Sequence, residues 1–443
     1  MKLCNLEAIQ RVLDEAEPLP VTGTVTRANG LLVEAMLPQV SVGSCVEIRA
    51  RDGVVAAEVV GFDRGVAQLM TLGKLDGIGE GAAVVPRASA AQIPVGEGLL
   101  GRVVDAHMRP LDGGPSPLLR TRMPVNAPPP QAMTRRRIAH PLELGIRVLD
   151  TCLTVGEGQR VGIMAGPGVG KSALLGMLAR DSRADVVVVG LIGERGREVR
   201  EFIERDLGEG LARSVVVTAT SDEPPVVRIR AALAASAVAE YFRAQGQRVL
   251  LLMDSLSRVA MAQREIGLSV GEPPTSKGYP PSVFGLLPRL LERAGNDAGS
   301  GSITGFYTVL AEGDDQADPV VDASRAVLDG HIVLSRRLAE SGHFPAVDVL
   351  ASVSRVMPDV VTPSHAALAR RVREVLSAYR DSADLIELGA YVAGSNPRVD
   401  RALACRDPLN AFLRQGVQES TSLSEALATL ERVLLPTRGD GRA

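Results

Sequence analysis

The pattern of apolar and polar positions changes character along the chain. From about residue 21 to 95, short runs rich in β-branched residues are separated by Gly, Asp and Pro at intervals of roughly 8–12 residues. This spacing is typical of a small barrel or a sandwich. The runs are VTGTVTRA, GLLVEAML, SCVEIRA, VVAAEVVGF and VAQLMTL.

From about residue 142 to 355 the apolar runs become continuous and alternate with helical stretches. Continuous apolar runs are typical of strands buried on both faces, and helices between them indicate a mostly parallel α/β sheet. The candidate strands are RVGIM (160–164), DVVVVGLI (185–192), SVVVTAT (214–220), RVLLLM (248–253) and SITGFYTVL (302–310).

The two ends of the chain have helical periodicity. LEAIQRVLDEAE (6–17) predicts a short amphipathic helix closed by Pro18 and Pro20, and helical spacing dominates from about residue 364 onward. We therefore predict an N-terminal helical segment over 1–20, a β domain over 21–95, an α/β domain over 96–358 and a C-terminal helical domain over 359–443.

Composition narrows the class of protein. A chain of 443 residues, 45% apolar and 23% charged, is an ordinary multi-domain globular protein. A net charge of −3, 3% aromatics and no Trp argue against nucleic-acid binding by charge or base stacking. No run approaches the ~18 apolar residues of a membrane span, and acids stand where a signal peptide needs an apolar run, so we expect a cytoplasmic protein.

The strongest chemical signal is AGPGVGKS, residues 165–172. It lies between a predicted strand and the predicted helix SALLGMLAR, where a phosphate-binding loop belongs. The strict pattern begins with Gly where this chain has Ala165, but Gly170, Lys171 and Ser172 fit it. Its glycines let N–H groups point inward as an anion nest at a helix N-terminus. The predicted nucleotide-binding residues are Gly166, Pro167, Gly168, Val169, Gly170, Lys171, Ser172 and Ala173.

Phosphoryl transfer also needs a carboxylate on the metal side and a group that orients the attacking water. In such a site Lys171 contacts the β- and γ-phosphates, and Ser172 binds Mg²⁺. Asp254 ends the run RVLLLM, the position of a Walker B carboxylate, although a lone Asp there is also a common helix cap. Glu194 ends another predicted strand and is the candidate water activator, although acids are also frequent in charged loops.

Six segments together resemble the type III export ATPases, flagellar and injectisome, and more distantly the catalytic subunits of rotary F- and V-type ATPases. They are AGPGVGKS, GLIGERGREVREF, LLLMDSLSRVAMAQREIGL, GEPPTSKGYPPSVFGLLPRLLERAG, SITGFYTVLAEGDDQADPV and DVLASVSRVM. The resemblance runs from about residue 20 to 430. It implies an α/β fold: a RecA-like P-loop ATPase core with an N-terminal small β-barrel domain and a C-terminal α-helical domain.

The resemblance also implies roles for individual residues. The P-loop pair matches at Lys171 and Ser172, Asp254 matches the Walker B Asp, and Glu194 matches the catalytic Glu. Arg355, in SVSRV, stands where the family has an arginine finger that reaches the γ-phosphate of the neighbouring subunit. Further implied contacts are Phe344, in GHFPAVD, as the ring on adenine, and Arg258 and Arg195 as arginines near the γ-phosphate.

The implied function is hydrolysis of ATP with Mg²⁺ at inter-subunit sites of a homohexameric ring that energises type III protein export. The implied partners are stator, stalk and chaperone–substrate proteins, with peripheral association at an inner-membrane export gate and no nucleic acid. The strings GEPPTSKGYPPSVF, GAYVAGSNPRVD and NAFLRQGV slightly favour the flagellar branch.

Two other functions share parts of this pattern. The catalytic subunit of a rotary proton-translocating ATPase usually has Gly at the position of Ala165 and an acidic C-terminal loop, which AGSNPRVDRA is not. A hexameric RNA translocase would have an N-terminal domain rich in basic and aromatic residues. Residues 21–95 contain one aromatic, Phe62, and about as many acids as bases.

Overall fold

The computed structural model of the chain describes residues 22–73, 75–87, 92–310 and 318–435. The helix predicted at 6–17 lies outside these residues. The chain divides into two units. One contains the residues up to Gln92 together with Ile266–Glu272, and the other contains Ile93–Glu265 and the residues from Pro273 onward.

The first unit contains a closed antiparallel barrel with the strand order β1-β2-β5-β4-β3-β6 among its described residues. Alternate side chains of these strands, such as Val33, Ile48 and Leu69, point into the barrel and are fully buried. The strands are β1 (Gly23–Asn29), β2 (Leu32–Met36), β3 (Cys45–Ala50), β4 (Gly53–Asp63), β5 (Val66–Thr71) and β6 (Ala83–Arg87).

The barrel confirms one of the two alternatives that the strand spacing allowed. The five apolar runs correspond to β1–β5, but β6 was not predicted. Its sequence, AVVPR, contains Pro86, and a proline inside an apolar run argues against a strand. In the barrel Pro86 nevertheless stands opposite Val46 of β3.

The second unit is built on a mostly parallel sheet with the order β17-β16-β10-β15-β13-β11-β12-β8. Strand β14 pairs antiparallel with β15, and β17 pairs antiparallel with β16. A separate pair is formed by β7 (Gln92–Val95) and β9 (Thr121–Pro124). The sheet strands are β8 (Arg102–Val104), β10 (Arg160–Ala165), β11 (Val186–Glu194), β12 (Ser214–Thr220), β13 (Arg248–Asp254), β14 (Gly295–Asn296), β15 (Ser302–Leu310), β16 (Gly330–Val333) and β17 (Val353–Ser354).

Helices cover this sheet, and the C-terminal helices pack together at the end of the chain. The described helices are α1 (Arg147–Cys152), α2 (Lys171–Asp181), α3 (Gly196–Glu201), α4 (Pro225–Ala244), α5 (Leu256–Ser269), α6 (Pro281–Leu291), α7 (Pro319–Val327), α8 (Arg336–Glu340), α9 (Met357–Val360), α10 (Pro363–Asp381), α11 (Ala383–Glu387), α12 (Pro397–Leu413) and α13 (Leu423–Leu434). Among these described helices, none is long and apolar enough to cross a bilayer.

One hydrophobic core runs from the sheet into the C-terminal helices. Val372 of α10, Leu409 of α12 and Leu430 of α13 belong to the same buried cluster as Leu149 and Leu178. The C-terminal helices therefore lie in the same unit as the parallel sheet, and the boundary at residue 358 stays a prediction.

Candidate active site

The loop between β10 and α2 has the geometry of a phosphate cradle. Gly168 and Gly170 have φ of 77° and 89°, left-handed values that residues with a Cβ adopt only under strain. Val169 is buried in the core and anchors the loop between them. Because α2 begins at Lys171, the loop lies at a helix N-terminus, where free N–H groups favour anions.

Three predicted site residues meet at the carboxyl end of the sheet. The Nζ atom of Lys171 lies 2.6 Å from Oδ1 of Asp254 and 3.7 Å from Oε1 of Glu194. Glu194 is the last residue of β11 and Asp254 the last residue of β13, and these strands are parallel neighbours. Their carboxylates therefore reach the same sheet edge as the phosphate loop.

Thr308 holds the Asp254 carboxylate, and sequence reasoning missed it. Its hydroxyl donates a hydrogen bond of 2.6 Å to Oδ1 of Asp254 from the adjacent strand β15. Thr308 is fully buried. The available signal was a hydroxyl residue near the carboxyl end of a predicted buried strand.

Burial and charge set the protonation of the two central groups. Burial raises the pKa of Glu194 to about 7, with the Asp254 charge adding to the rise and Lys171 opposing it. Glu194 is 8% exposed, and its Oε1 atom has no hydrogen-bond partner among the described residues. Burial lowers the pKa of Lys171, but Asp254 and Glu194 outweigh burial, so that pKa is raised overall. A carboxyl with a pKa near neutrality suits a general base.

The two arginines predicted near the γ-phosphate occupy different positions. Arg258, on α5, packs against the backbone just before Glu194, since a Cβ built on Gly193 would lie 2.9 Å from the Cβ of Arg258. Its charge acts on the Glu194 carboxyl. The side chain of Arg195 is 78% exposed and pairs with Glu198 at 3.4 Å. Arg195 is therefore outside the cluster, and its role stays a prediction.

Phe344 lies beside the phosphate loop. A Cβ built on Gly170 would lie 3.3 Å from carbons of the Phe344 ring, and 42% of this residue is exposed. Its backbone carbonyl accepts a 2.9 Å hydrogen bond from the backbone N–H of Gln415. A partly exposed ring at the end of the loop is available for a base to stack on.

Arg355 is at the opposite end of the sheet from the phosphate loop. It follows β17, and its N–H donates to the carbonyl of Asp329, 3.0 Å away. The Asp329 N–H in turn donates to the carbonyl of Arg160, the first residue of β10. The loop follows the last residue of β10, about 17 Å away along that strand. The exposed Arg355 thus lies far from the phosphate loop of its own chain.

The residues at the sheet edge fit a magnesium ion. Mg²⁺ prefers hard oxygen ligands, often one or two from protein with the rest from water and phosphate. The Asp254 carboxylate is ordered by Thr308, and the Ser172 hydroxyl is in the first turn of α2. These two residues are the ones that would hold the ion.

Comparisons with known proteins identify the family of this chain. The nucleotide-binding domain of the ATP synthase alpha/beta family matches residues 145–354. The C-terminal domain of the type III secretion ATPase EscN matches residues 361–432. The flagellum-specific ATP synthase of Pseudomonas aeruginosa is 53% identical over 425 residues, which is 95% of this chain and 94% of that protein.

Solved structures extend the likeness to the whole fold. The assembled ATPase EscN from the type III secretion system of enteropathogenic E. coli has a TM-score of 0.88 and 41% identity. EscN in complex with its central stalk EscO has a TM-score of 0.86 and 40% identity. Each similarity covers 93% of this chain and 100% of the other.

The match of the C-terminal helices to the secretion ATPase domain does not favour a rotary ATPase subunit. The barrel, the P-loop sheet and the helical end are all shared with EscN. This chain therefore belongs to the family of flagellar and type III secretion ATPases, and it hydrolyses ATP.

Proposed function

We propose that the chain forms a homohexameric ring that hydrolyses Mg-ATP at sites shared by neighbouring subunits and energises type III protein export. The observation that carries this proposal is the placement of Arg355. It is exposed and lies at the other end of β10 from the phosphate loop of its own chain. In a closed ring, such a residue can complete the site of the next subunit.

The residues at the sheet edge then divide the reaction between them. Lys171 and the loop N–H groups hold the β- and γ-phosphates. Glu194 takes a proton from a water molecule as its oxygen attacks the γ-phosphorus, and the bond from that phosphorus to the ADP oxygen breaks. The guanidinium of the neighbour's Arg355 stabilises the charge that develops, and Phe344 stacks on the adenine.

Asp254 and Ser172 would hold magnesium, which would supply positive charge to neutralise the phosphate oxygens. Thr308 keeps the Asp254 carboxylate oriented for this task, since its hydroxyl donates to Oδ1. Arg258, which packs beside Glu194, contributes positive charge close to the attacking water.

We propose the flagellar branch rather than the injectisome branch. The 53% identity to a flagellum-specific relative supports it, since a type 3 secretion system ATPase from Xanthomonas euvesicatoria is 49% identical. The partners would be a stalk, as EscO is for EscN, with stator and chaperone–substrate proteins at an inner-membrane export gate. Identifying the components that co-purify with the native protein tests this branch. Injectisome components alone would contradict it.

The shared site is tested with Arg355→Ala in the assembled ring. Since an arginine finger contributes about 10³–10⁵ in rate, kcat should fall by at least the lower part of that range. The affinity for ATP should change little because the phosphate loop is intact. Steady-state hydrolysis and equilibrium nucleotide binding measure the two quantities separately.

Arg371→Ala is the matched control, because Arg371 is another exposed arginine, on α10, and has no role in the proposed site. It should keep wild-type turnover. Wild-type activity per subunit should also rise with protein concentration as rings form. Full turnover without Arg355, or activity per subunit that does not depend on concentration, would refute the shared site.

A further inference from the structure

A buried glutamine connects the residues around Arg355 to β10, the strand that ends at the phosphate loop. Gln159 immediately precedes β10 and is fully buried. Its Nε2 donates to the Asp329 carbonyl at 3.1 Å and to the Ser354 hydroxyl at 3.1 Å. Its Oε1 accepts from the Gly156 N–H at 2.8 Å. Both amide hydrogens are therefore donated to residues next to Arg355: Asp329 contacts it, and Ser354 precedes it in the chain.

These two contacts fix the backbone of Arg355 from both sides. The Asp329 carbonyl that accepts from Gln159 also accepts the Arg355 N–H at 3.0 Å. Ser354 is the residue before Arg355, and its hydroxyl donates to the Thr154 carbonyl at 2.8 Å. The backbone of Arg355 is thus held through one shared carbonyl and one neighbouring hydroxyl, and its guanidinium donates to the Leu328 carbonyl at 3.2 Å.

The strand that precedes Arg355 is short and pairs with only one other strand among the described residues. β17 contains only Val353 and Ser354, and it is an edge strand that pairs with β16 on one side. Strands in globular proteins usually have about five or six residues. The approach to β16 is close, since a Cβ on Gly330 would lie 2.4 Å from the Val353 carbonyl. Side-chain support therefore matters more here than in a long central strand.

The other side of Gln159 is attached to the centre of the sheet. Its carbonyl accepts the Gly305 N–H of β15 at 2.9 Å. The next residue, Arg160, binds the Asp329 carboxylate through its backbone N–H and its Nε atom, both at 3.0 Å. The start of β10 thus contacts the residues around Arg355, while the end of β10 leads into the phosphate loop of the same chain.

We propose that Gln159 is a positioning residue that sets the placement of Arg355 and so controls turnover at the neighbouring subunit's site. This inference rests on the proposed role of Arg355 as an arginine finger. Gln159 itself lies at the opposite end of β10 from the phosphate loop, and it acts through the backbone of residues 354 and 355. Rate is sensitive to such placement, because a shift of about 1 Å can cost about 10²-fold.

The test is a double-mutant cycle of Gln159→Met and Arg355→Ala in the full-length ring. Methionine has nearly the same volume but donates no hydrogen bond. Gln159→Met should lower kcat about 10–100-fold and change the ATP dissociation constant by less than about twofold. In the Arg355→Ala background the same change should lower kcat by less than about twofold, because the group it positions is already gone.

Two further variants separate positioning from folding. Ser354→Ala keeps the bond between Gln159 and Gly156 but removes one acceptor of the Gln159 amide, so it should show a smaller fall in kcat with the same non-additivity. Thr304→Val is the matched control. Thr304, on β15, is also buried, and its hydroxyl accepts the N–H of Gly158, in the turn before Gln159, at 2.9 Å. It should leave kcat within about twofold of wild type.

The outcomes distinguish this inference from the proposed function. If Arg355→Ala keeps full turnover, the finger itself is refuted, and the inference with it. If Arg355→Ala is slow and Gln159→Met slows that variant by the same factor as it slows wild type, only the positioning role is refuted. The same holds if Gln159→Met and Ser354→Ala rings keep wild-type kcat.

Discussion

Opposing effects meet at Glu194. Burial raises its pKa to about 7, whereas the ammonium group of Lys171, 3.7 Å away, favours the ionised form. The negative charge of the nearby Asp254 carboxylate raises the pKa of Glu194 further. The result is a carboxylate poised to accept a proton near neutral pH, which is the property that a general base needs.

The first prediction concerns this carboxyl. A protonated Glu194 accepts no proton from water, so kcat/KM should be high above about pH 7 and fall as pH drops through that value. Glu194→Gln keeps the shape but removes the base, so it should bind ATP and lose about 10²–10⁴ in kcat. A pH series of steady-state rates for both proteins measures this. A flat wild-type profile, or wild-type speed in Glu194→Gln, would remove Glu194 from this role.

At the residue scale, the sequence predicted the groups that carry charge but not the groups that hold them. Lys171, Glu194 and Asp254 each stand at the end of a recognisable strand or loop, so their motifs locate them. Thr308 and Gln159 act on partners 54 and 195 positions away. Contacts of that separation depend on strand order, which local pattern does not contain.

At the element scale, the loop between β10 and α2 depends on glycine conformation. Gly170 is the residue before α2, has a left-handed φ of 89°, and faces the Phe344 ring. A side chain there is strained by about 1–2 kcal/mol and also lies within 3.3 Å of that ring. The loop and the predicted adenine contact therefore share one tight point.

The second prediction tests that point. Gly170→Ala should raise the dissociation constant for ATP about tenfold, since the loop must shift to relieve about 1–2 kcal/mol of strain. Equilibrium binding of a fluorescent ATP analogue measures the change. Gly285→Ala is the control, because Gly285 is exposed on α6 with open space around its Cβ position. Unchanged binding in Gly170→Ala would contradict a rigid cradle.

Elements with a strong pattern were predicted and elements without one were not. The five continuous apolar runs correspond to β10, β11, β12, β13 and β15, within two residues at each end. β16 and β17 have four and two residues, too short for a periodicity to appear. β17 is nevertheless the strand that leads to Arg355, so only the motif SVSRV indicated that residue.

At the scale of the whole molecule, the residues of the proposed shared site lie in two separate places on the chain. The phosphate loop, Glu194 and Asp254 lie at the carboxyl end of the sheet, and Arg355 lies at the end where β10 begins. One chain therefore contains both halves of the proposed site, and the two halves are far apart. Assembly into a closed ring would bring the two halves together at every interface.

The third prediction follows from this separation and tests it most directly. Lys171→Ala removes phosphate binding but leaves Arg355 in place, and Arg355→Ala does the reverse. Rings of either variant alone should hydrolyse ATP very slowly. Wild type co-assembled with Lys171→Ala serves as the control for the effect of inactive subunits on a ring.

When the two variants are co-assembled, an intact phosphate loop from one meets an intact Arg355 from the other at some interfaces. We therefore expect the mixed rings to hydrolyse ATP well above the sum of the two separate preparations. If the mixture is no faster than that sum, while wild type mixed with Lys171→Ala retains activity, the shared site is contradicted.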